Sequence, residues 1–565
     1  MPTKYDAIVV GLGAAGGVIA TELARKGLKV VALDKGAFYK SKDFQSKFDE
    51  IRFYARSAIV PKMATDPVTW RANEREEARV LPWASNALGL GNPFQIPPSI
   101  GTGGGTIHWG GASFRFRPAD FHMLSTITNR FGTYALPAGH TLVDWPISYE
   151  DLAPYYDRVE WDLGVAGIAG NIKGKLQNGG NPFDAPRERG FPMPPLDRHV
   201  SERYFVDAAH RLGYHPFPTP AAIATIPFKG RPACTNCGFC HGYPCHTGAK
   251  ITTHEIIEAA VRETGNLDVR PHARVFRIDR GKDGQAKGVA YFETDGTVVE
   301  LKAPTVVLAA YAFENARLLL ASGINRNGQV GKHLSIHNYG WFTGLLPEAV
   351  NPYMGSLQSG SGIDDLTSEL IPDNDEGVVW GSPINTWTGD LQPIEVIHGL
   401  PAHVPKWGFG FKTWMRDNFL KLNRMYSQHS SLPSPAAYCD LDPVVKDNFG
   451  QPALRITHDW TDFDRRHALY FMKVKRRLAK EMGMTDWWED SLTPNYHVTV
   501  HDSGLTRMGE DPATSVTAVD GQVHEVRGLY ACGGGQFPTL SAYNPTETIF
   551  ALAYLTADAI AGRLA

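Results

Sequence analysis

Four of the six cysteines fall within twelve residues, in the order Cys234-x2-Cys237-x2-Cys240-x4-Cys245. Three thiolates at three-residue spacing can wrap one face of a compact iron–sulfur cluster, with the fourth just beyond. Zinc competes for the same ligands. Structural zinc sites usually separate two ligand pairs by a longer loop so that a tetrahedron can close, and this run has no such loop. Disulfides between such near neighbours would be strained. Cys439 and Cys532 stand alone, so the pattern is not the disulfide framework of a secreted domain. The spacing favours an iron–sulfur centre, a carrier of single electrons.

A second chemical signature opens the chain. Asp6–Val10 is a short β-branched apolar run, followed at once by Gly11-x-Gly13-x-x-Gly16. The first glycine permits a tight turn, the second lets a pyrophosphate approach the backbone, and the third lets helix pack on strand. Ala14–Lys26 has helical spacing with Gly27 as its stop, and Lys29–Leu33 is a second strand ending in Asp34, where a carboxylate can hold a ribose hydroxyl. This context specifies an adenine dinucleotide, FAD or NAD. A third feature, Gly101-Thr-Gly103-Gly104-Gly-Thr-Ile-His108-Trp109-Gly110-Gly111, is a backbone-dominated loop that something flat or charged must approach closely.

The elements that must position these groups follow from the rest of the chain. At 565 residues it should hold more than one domain. A net charge of −3 without a long basic run argues against nucleic acid or an anionic membrane as partner. No apolar run approaches the ~20 residues of a membrane span. The N-terminus lacks a signal pattern, so the chain alone would stay in the cytoplasm. Helices are expected near Ser41–Phe53, Ala119–His122, Ser148–Leu163, Ser201–Leu212, Thr253–Glu263, Asn315–Ser322 and Asn544–Arg563. Leu267–Val275, Phe276–Arg280 and Lys287–Thr294 read as a meander, and Pro304–Ala310 and Gly528–Cys532 as buried strands. From about Gly340 to Asp490 the pattern changes to short strands and aromatic loops containing Trp380, Trp387, Trp407 and Trp414. Those rings could stack on sugar faces, although core packing is the default. Lys406, Lys412 and Arg416 could meet a carboxylate, although solvated surface is the default.

Four blocks together resemble the glucose–methanol–choline (GMC) flavoprotein oxidoreductases: the N-terminal fingerprint, Gly103–Gly111, Val330-Gly-Lys-His-Leu-Ser-Ile-His337, and His501 through Asn544 to the C-terminus. The likeness is strongest to the flavoprotein subunits of bacterial gluconate, fructose and glucose dehydrogenases. It implies a Rossmann-like FAD-binding domain (1–150, 226–339 and 495–565, including the cysteine loop 234–245). A discontinuous substrate domain (151–225 and 340–494) on a mainly antiparallel sheet would complete the fold, of class α/β plus α+β. It implies FAD, contacted also by Val275, and oxidation of a sugar or sugar-acid alcohol by hydride transfer to flavin N5.

Taking a hydride from a carbinol carbon is easy only if the hydroxyl proton leaves in concert, and neutral imidazole suits that task. His501 occupies the family's catalytic histidine position and Asn544 resembles its His-or-Asn partner. Asn544-Pro545-Thr546-Glu547 also reads as a helix start, with Asn as cap and Pro in the first turn. Such a helix terminus places positive charge where reduced flavin becomes anionic, with backbone donors beginning at Thr546 because Pro545 has none. In several sugar-oxidising relatives a histidine before tryptophan, as at His108, is joined to the flavin; packing beside the ring without a bond is the alternative. The sugar-dehydrogenase relatives carry a three-iron cluster on a spacing that begins with adjacent cysteines, so the departure here leaves open a 3Fe-4S or 4Fe-4S centre and its ligands. A cluster would argue for a dehydrogenase over an oxidase that holds structural zinc. The resemblance further implies a small accessory subunit and a cytochrome acceptor, with export to the periplasm on the partner's signal.

Overall fold

The computed structural model describes residues 4–44, 66–80, 100–387, 389, 391–396, 399–489 and 501–564. At its centre is a parallel sheet in the spatial order Leu529–Ala531, Thr305–Leu308, Ala7–Val10, Val30–Leu33, Leu267–Arg270. Its three central strands are short, β-branched and buried on both faces, as parallel strands covered by helices must be. Helix Ala14–Arg25 packs against Thr253–Thr264 on one side and Thr546–Leu564 on the other. Small residues permit that approach: a Cβ on Gly17 would come within 2.8 Å of Thr253.

The second unit is built on an antiparallel sheet whose longest strands are Ser335–Leu345 and Leu422–Ser430, with Ile384–Trp387 beside the latter. Alternation divides its side chains between two faces. Phe342, Met425 and Ile384 enter one core with Phe471 and Leu478 of helix Asp462–Glu481. That twenty-residue helix lies where the sequence suggested only short strands and loops. Its start is marked by Thr461 and Asp464, which exchange capping hydrogen bonds, a signal the aromatic composition of the region obscured. The opposite face carries His337, Tyr339 and Trp341, paired across the ladder with Ser430, Gln428 and Tyr426.

Helix Tyr149–Leu163 begins as expected at Ser148 and ends at Gly164. It packs on Thr546–Leu564, and Ala437–Trp460 shares a core with the dinucleotide-side strands. Strand Val68–Arg71 pairs in parallel with Pro452–Thr457, which joins this part of the chain to the dinucleotide side. The helix expected at Ser41–Phe53 lies mostly outside the described residues; Ser41–Asp43 forms a single 3-10 turn. No helix among the described residues is long and apolar enough to cross a membrane.

Candidate active site

The glycine fingerprint forms the expected strand–turn–helix. Gly11 adopts φ +88°, and a Cβ there would lie 2.6 Å from Ala310, while one on Gly16 would lie 1.9 Å from the Gly11 carbonyl oxygen. Gly13 is different: a Cβ would meet nothing nearer than 3.9 Å, and one on Gly105 would meet nothing within 4 Å. This open lip at the carboxyl ends of parallel strands, facing a helix N-terminus without an acidic residue in its first turn, suits the pyrophosphate of FAD.

Asp34 does more than its sequence position suggested. Its Oδ2 accepts the Leu12 N–H at 3.0 Å, and its Oδ1 accepts the N–H groups of Gly36 and Gly101, each at 2.9 Å. The carboxylate therefore clasps the fingerprint loop, its own turn and the start of the second glycine loop. In that loop the Gly103 N–H bonds to the Leu12 carbonyl at 2.8 Å, and Gly103 and Gly104 have positive φ. The Val275 side chain is buried in the core beneath the sheet and is not turned to a ligand-facing loop.

The catalytic pair predicted at the C-terminus is assembled from three elements. His501 is buried, and its Nδ1 lies 2.8 Å from Nδ1 of His337 and 2.9 Å from the Tyr339 hydroxyl. His337 Nε2 lies 2.6 Å from the Ser541 carbonyl oxygen. A carbonyl only accepts, so His337 Nε2 carries a hydrogen. Burial drives the His337 pKa down to about 3, so the ring is neutral and its Nδ1 is an acceptor. His501 must then donate from Nδ1, which leaves the lone pair on Nε2. Burial, reinforced by the His337 and His241 rings, holds the His501 pKa well below its ordinary value. The resting imidazole is neutral, with its Nε2 lone pair on the side away from His337.

Asn544 Nδ2 approaches that Nε2 to 3.5 Å, and its Oδ1 accepts from Gln428 Nε2 at 3.3 Å. Its amide faces His501, and the helix behind it starts at Thr546. The loop before Asn544 is fixed by Asp120, which accepts from Ser541 Oγ at 2.6 Å and Ser368 Oγ at 2.7 Å.

The sequence missed His337, Tyr339 and Gln428 as functional residues. The available signal was period-two spacing of a histidine and two aromatics, His337, Tyr339 and Trp341, in one eleven-residue strand. Among the four tryptophans singled out, Trp387 joins this face, packing at 4.9 Å on Trp341. Trp380 is buried in a separate core and Trp407 is 83% exposed. Arg416 pairs with Asp417 on the surface.

The cysteine segment lies against the flavin-facing loop. The Gly242 N–H bonds to the His108 carbonyl at 2.7 Å, and the buried Lys250 ammonium donates to the carbonyls of Trp109, Cys240 and Tyr243 at 2.6, 2.6 and 2.9 Å. The expected cluster finds no matching ligand set. Among the described residues no three His, Cys, Asp or Glu side chains converge on a point that could hold a metal ion. The thiols engage local partners: Cys234 accepts from the Asn236 N–H, Cys240 meets Ser356 Oγ, and Cys245 meets Thr247 Oγ1 and the Lys250 N–H. Cys234, Cys240 and Cys245 border one small apolar cluster with Leu196 and Ile223, yet among the described residues Cys234, Cys237, Cys240 and Cys245 form no ligand group for an iron–sulfur cluster or zinc.

The fold and the sequence have known counterparts. The N- and C-terminal patterns of the GMC oxidoreductases match residues 141–339 and 433–553. The chain is 32% identical to a gluconate 2-dehydrogenase flavoprotein of Pantoea cypripedii, over 99% of this chain and 93% of the relative. It is 30% identical to a paromamine 6'-oxidase of Streptomyces fradiae, over 99% and 92%. Among solved structures, a formate oxidase of Aspergillus oryzae RIB40 examined for modification of its FAD superposes with a TM-score of 0.62 at 15% identity, covering 99% of this chain and 98% of that one. The chain belongs to the GMC oxidoreductase family and is a flavoprotein enzyme acting on CH–OH groups.

Proposed function

We propose that the enzyme oxidises a secondary or hemiacetal alcohol of a sugar or sugar acid, with His501 as base and Asn544 as a donor to the substrate oxygen. The observation that carries this reading is the tautomer set by Ser541 and His337, which leaves His501 Nε2 as the acceptor beside Asn544. FAD, when bound, supplies the hydride acceptor. The protein's share is to take the hydroxyl proton on Nε2 and pass the resulting positive charge into the His337–Ser541 hydrogen-bond chain. Tyr339, whose phenol burial keeps protonated, offers its oxygen to the same Nδ1–H and steadies the ring.

A gluconate-like substrate is supported by the likeness to the Pantoea flavoprotein, and the aromatic sheet face beside His501 suits a polyhydroxylated ligand. On the family resemblance alone, the enzyme works as a dehydrogenase with a small accessory subunit and a cytochrome, and is exported with that subunit to the periplasm. Because the thiols do not form a ligand set, this reading routes no electrons through them. The paromamine oxidase favours a second reading, an oxidase of the same fold that reduces oxygen.

Rapid mixing of flavin-loaded protein with gluconate and a panel of sugars under anaerobic conditions tests the first reading. His501→Ala should keep its flavin and reduce it 10²–10⁴-fold more slowly. Reduction at the wild-type rate would remove His501 from the chemistry. Reoxidation by air, compared with an artificial acceptor, separates oxidase from dehydrogenase.

A further inference from the structure

The cysteine segment is held too firmly, and in too particular a place, to be idle. On one side Lys250 and the Gly242 N–H fasten it to Trp109 and His108. On the other, the Gly238 carbonyl accepts from Gln392 Nε2 at 2.5 Å, the Asn236 carbonyl accepts the Gly355 N–H at 3.0 Å, and Cys240 meets Ser356. Gly238 has φ +78°, and a Cβ there would fall 1.8 Å from the Tyr353 carbonyl oxygen, so the segment presses directly on the substrate unit. It bridges the flavin-facing loop and the antiparallel sheet.

One side chain of this bridge points into the site. The His241 ring meets Trp387 edge-on at 4.8 Å, Trp387 meets Trp341 at 4.9 Å, and Trp341 stacks on Tyr339 at 5.5 Å. Tyr339 in turn touches His501. His241 is thus the last member of a ring chain curving back to the catalytic base. It lies near enough to His108 and His501 for its charge to affect both rings. His241, Trp387 and Trp341 thus link the segment bonded to the flavin-facing loop with the rings beside His501.

We propose that the Cys234–Cys245 segment is a wall of the substrate site and that His241 hydrogen-bonds a substrate hydroxyl next to the one oxidised. The inference rests on the reading of a polyhydroxylated substrate. It gives the segment a recognition role, which an aromatic floor alone cannot supply: rings grip the C–H faces of a sugar, but its hydroxyls need polar partners. A neutral imidazole can donate or accept, so it suits a hydroxyl in either sense.

The test uses flavin-loaded protein with gluconate as the probe. In a His501→Ala background, where bound substrate is not consumed, titration perturbs the flavin absorbance and gives Kd directly. Adding His241→Phe, which keeps a ring but removes both nitrogens, should raise Kd about 3- to 10-fold. His241→Gln, which restores a donor and an acceptor, should return it to within about twofold. With His501 intact, KM should follow the same pattern while kcat changes less. Unchanged Kd and KM in His241→Phe would overturn the proposal, as would loss of flavin in both His241 variants, which would make His241 a packing residue. A wild-type enzyme that oxidises neither gluconate nor any sugar sinks the functional reading and this inference together. An active wild type indifferent to His241→Phe sinks this inference alone.

Discussion

Nδ1 of His337 faces Nδ1 of His501 across 2.8 Å, and only one of these nitrogens can hold the shared hydrogen. The Ser541 carbonyl decides which, because it claims the hydrogen on the far side of His337. His501 is therefore oriented by His337 of strand Ser335–Leu345, through a backbone oxygen forty residues downstream of His501. Replacing His337 with Phe should release the His501 tautomer and lower flavin reduction by substrate roughly 10- to 100-fold, less than removal of the base itself. His337→Gln, whose amide can still donate to Ser541, should recover part of the loss. Stopped-flow reduction at full flavin occupancy measures both, and an unimpaired His337→Phe would show that the ring needs no such anchor.

The pH dependence should carry the mark of burial. Desolvation, then the nearby His337 and His241 rings, depress the His501 pKa. A base with a depressed pKa stays neutral as pH falls through the ordinary range of histidine. The acid limb of kcat/KM should accordingly have its midpoint below 6.5, the unperturbed value. A midpoint at or above that value would mean that the ring is more solvated than its surroundings indicate.

Asp120 gives a stability signal of the opposite kind. Burial raises its pKa from 3.8 to about 6, against hydrogen bonds from Ser541, Ser368 and the Arg117 N–H. The folded protein then holds this proton more tightly than the unfolded chain. The contribution is fully present below pH 3.8 and is lost as pH rises through about 6. Relative to Asp120→Asn, the wild type should lose on the order of 3 kcal/mol of unfolding free energy across that window. Denaturant titrations of the two proteins at a series of pH values give the difference, and parallel curves would contradict it.

Lys250 tests how the cysteine segment is held. Its ammonium serves three carbonyls in a buried setting, so Lys250→Met leaves polar groups stripped of water and of their donor. A loss of about 3 kcal/mol or more is expected. If a metal centre organised the segment, the variant would be nearly as stable as wild type and would retain iron or zinc. Metal analysis of both proteins accompanies the unfolding measurement.

Much of the dinucleotide side was legible because its signals are local. Gly11, Gly13 and Gly16 specify a turn whose geometry admits few alternatives, and Ser148 and Gly164 mark helix ends by their own chemistry. His501 and Asn544 were legible only through resemblance, since neither has a local pattern that reveals its partner. His337 and Gln428 reach the site through strand register, which a sequence does not display until the pairing of Tyr339 with Gln428 is known. The cysteine run is less decisive for a related reason. Spacing says which thiols could converge, but only the fold decides their geometry, and although Cys234, Cys240 and Cys245 border one cluster, no metal-holding group forms among the described residues.

The two-faced sheet separates two kinds of evolutionary change. Rows Tyr339–Gln428, Trp341–Tyr426 and Thr343–Arg424 succeed one another at intervals of about 6.8 Å, close to the span of one sugar ring. Neighbouring positions Phe342 and Met425 face the helix core instead. Mutations on the first rows therefore reshape the face beside His501 together with the core it shares with Leu357 and Leu391, while the helix core behind the sheet stays untouched. An insertion of a single residue in Ser335–Leu345 would do the reverse, exchanging the two faces and costing the enzyme its fold and its chemistry in one step.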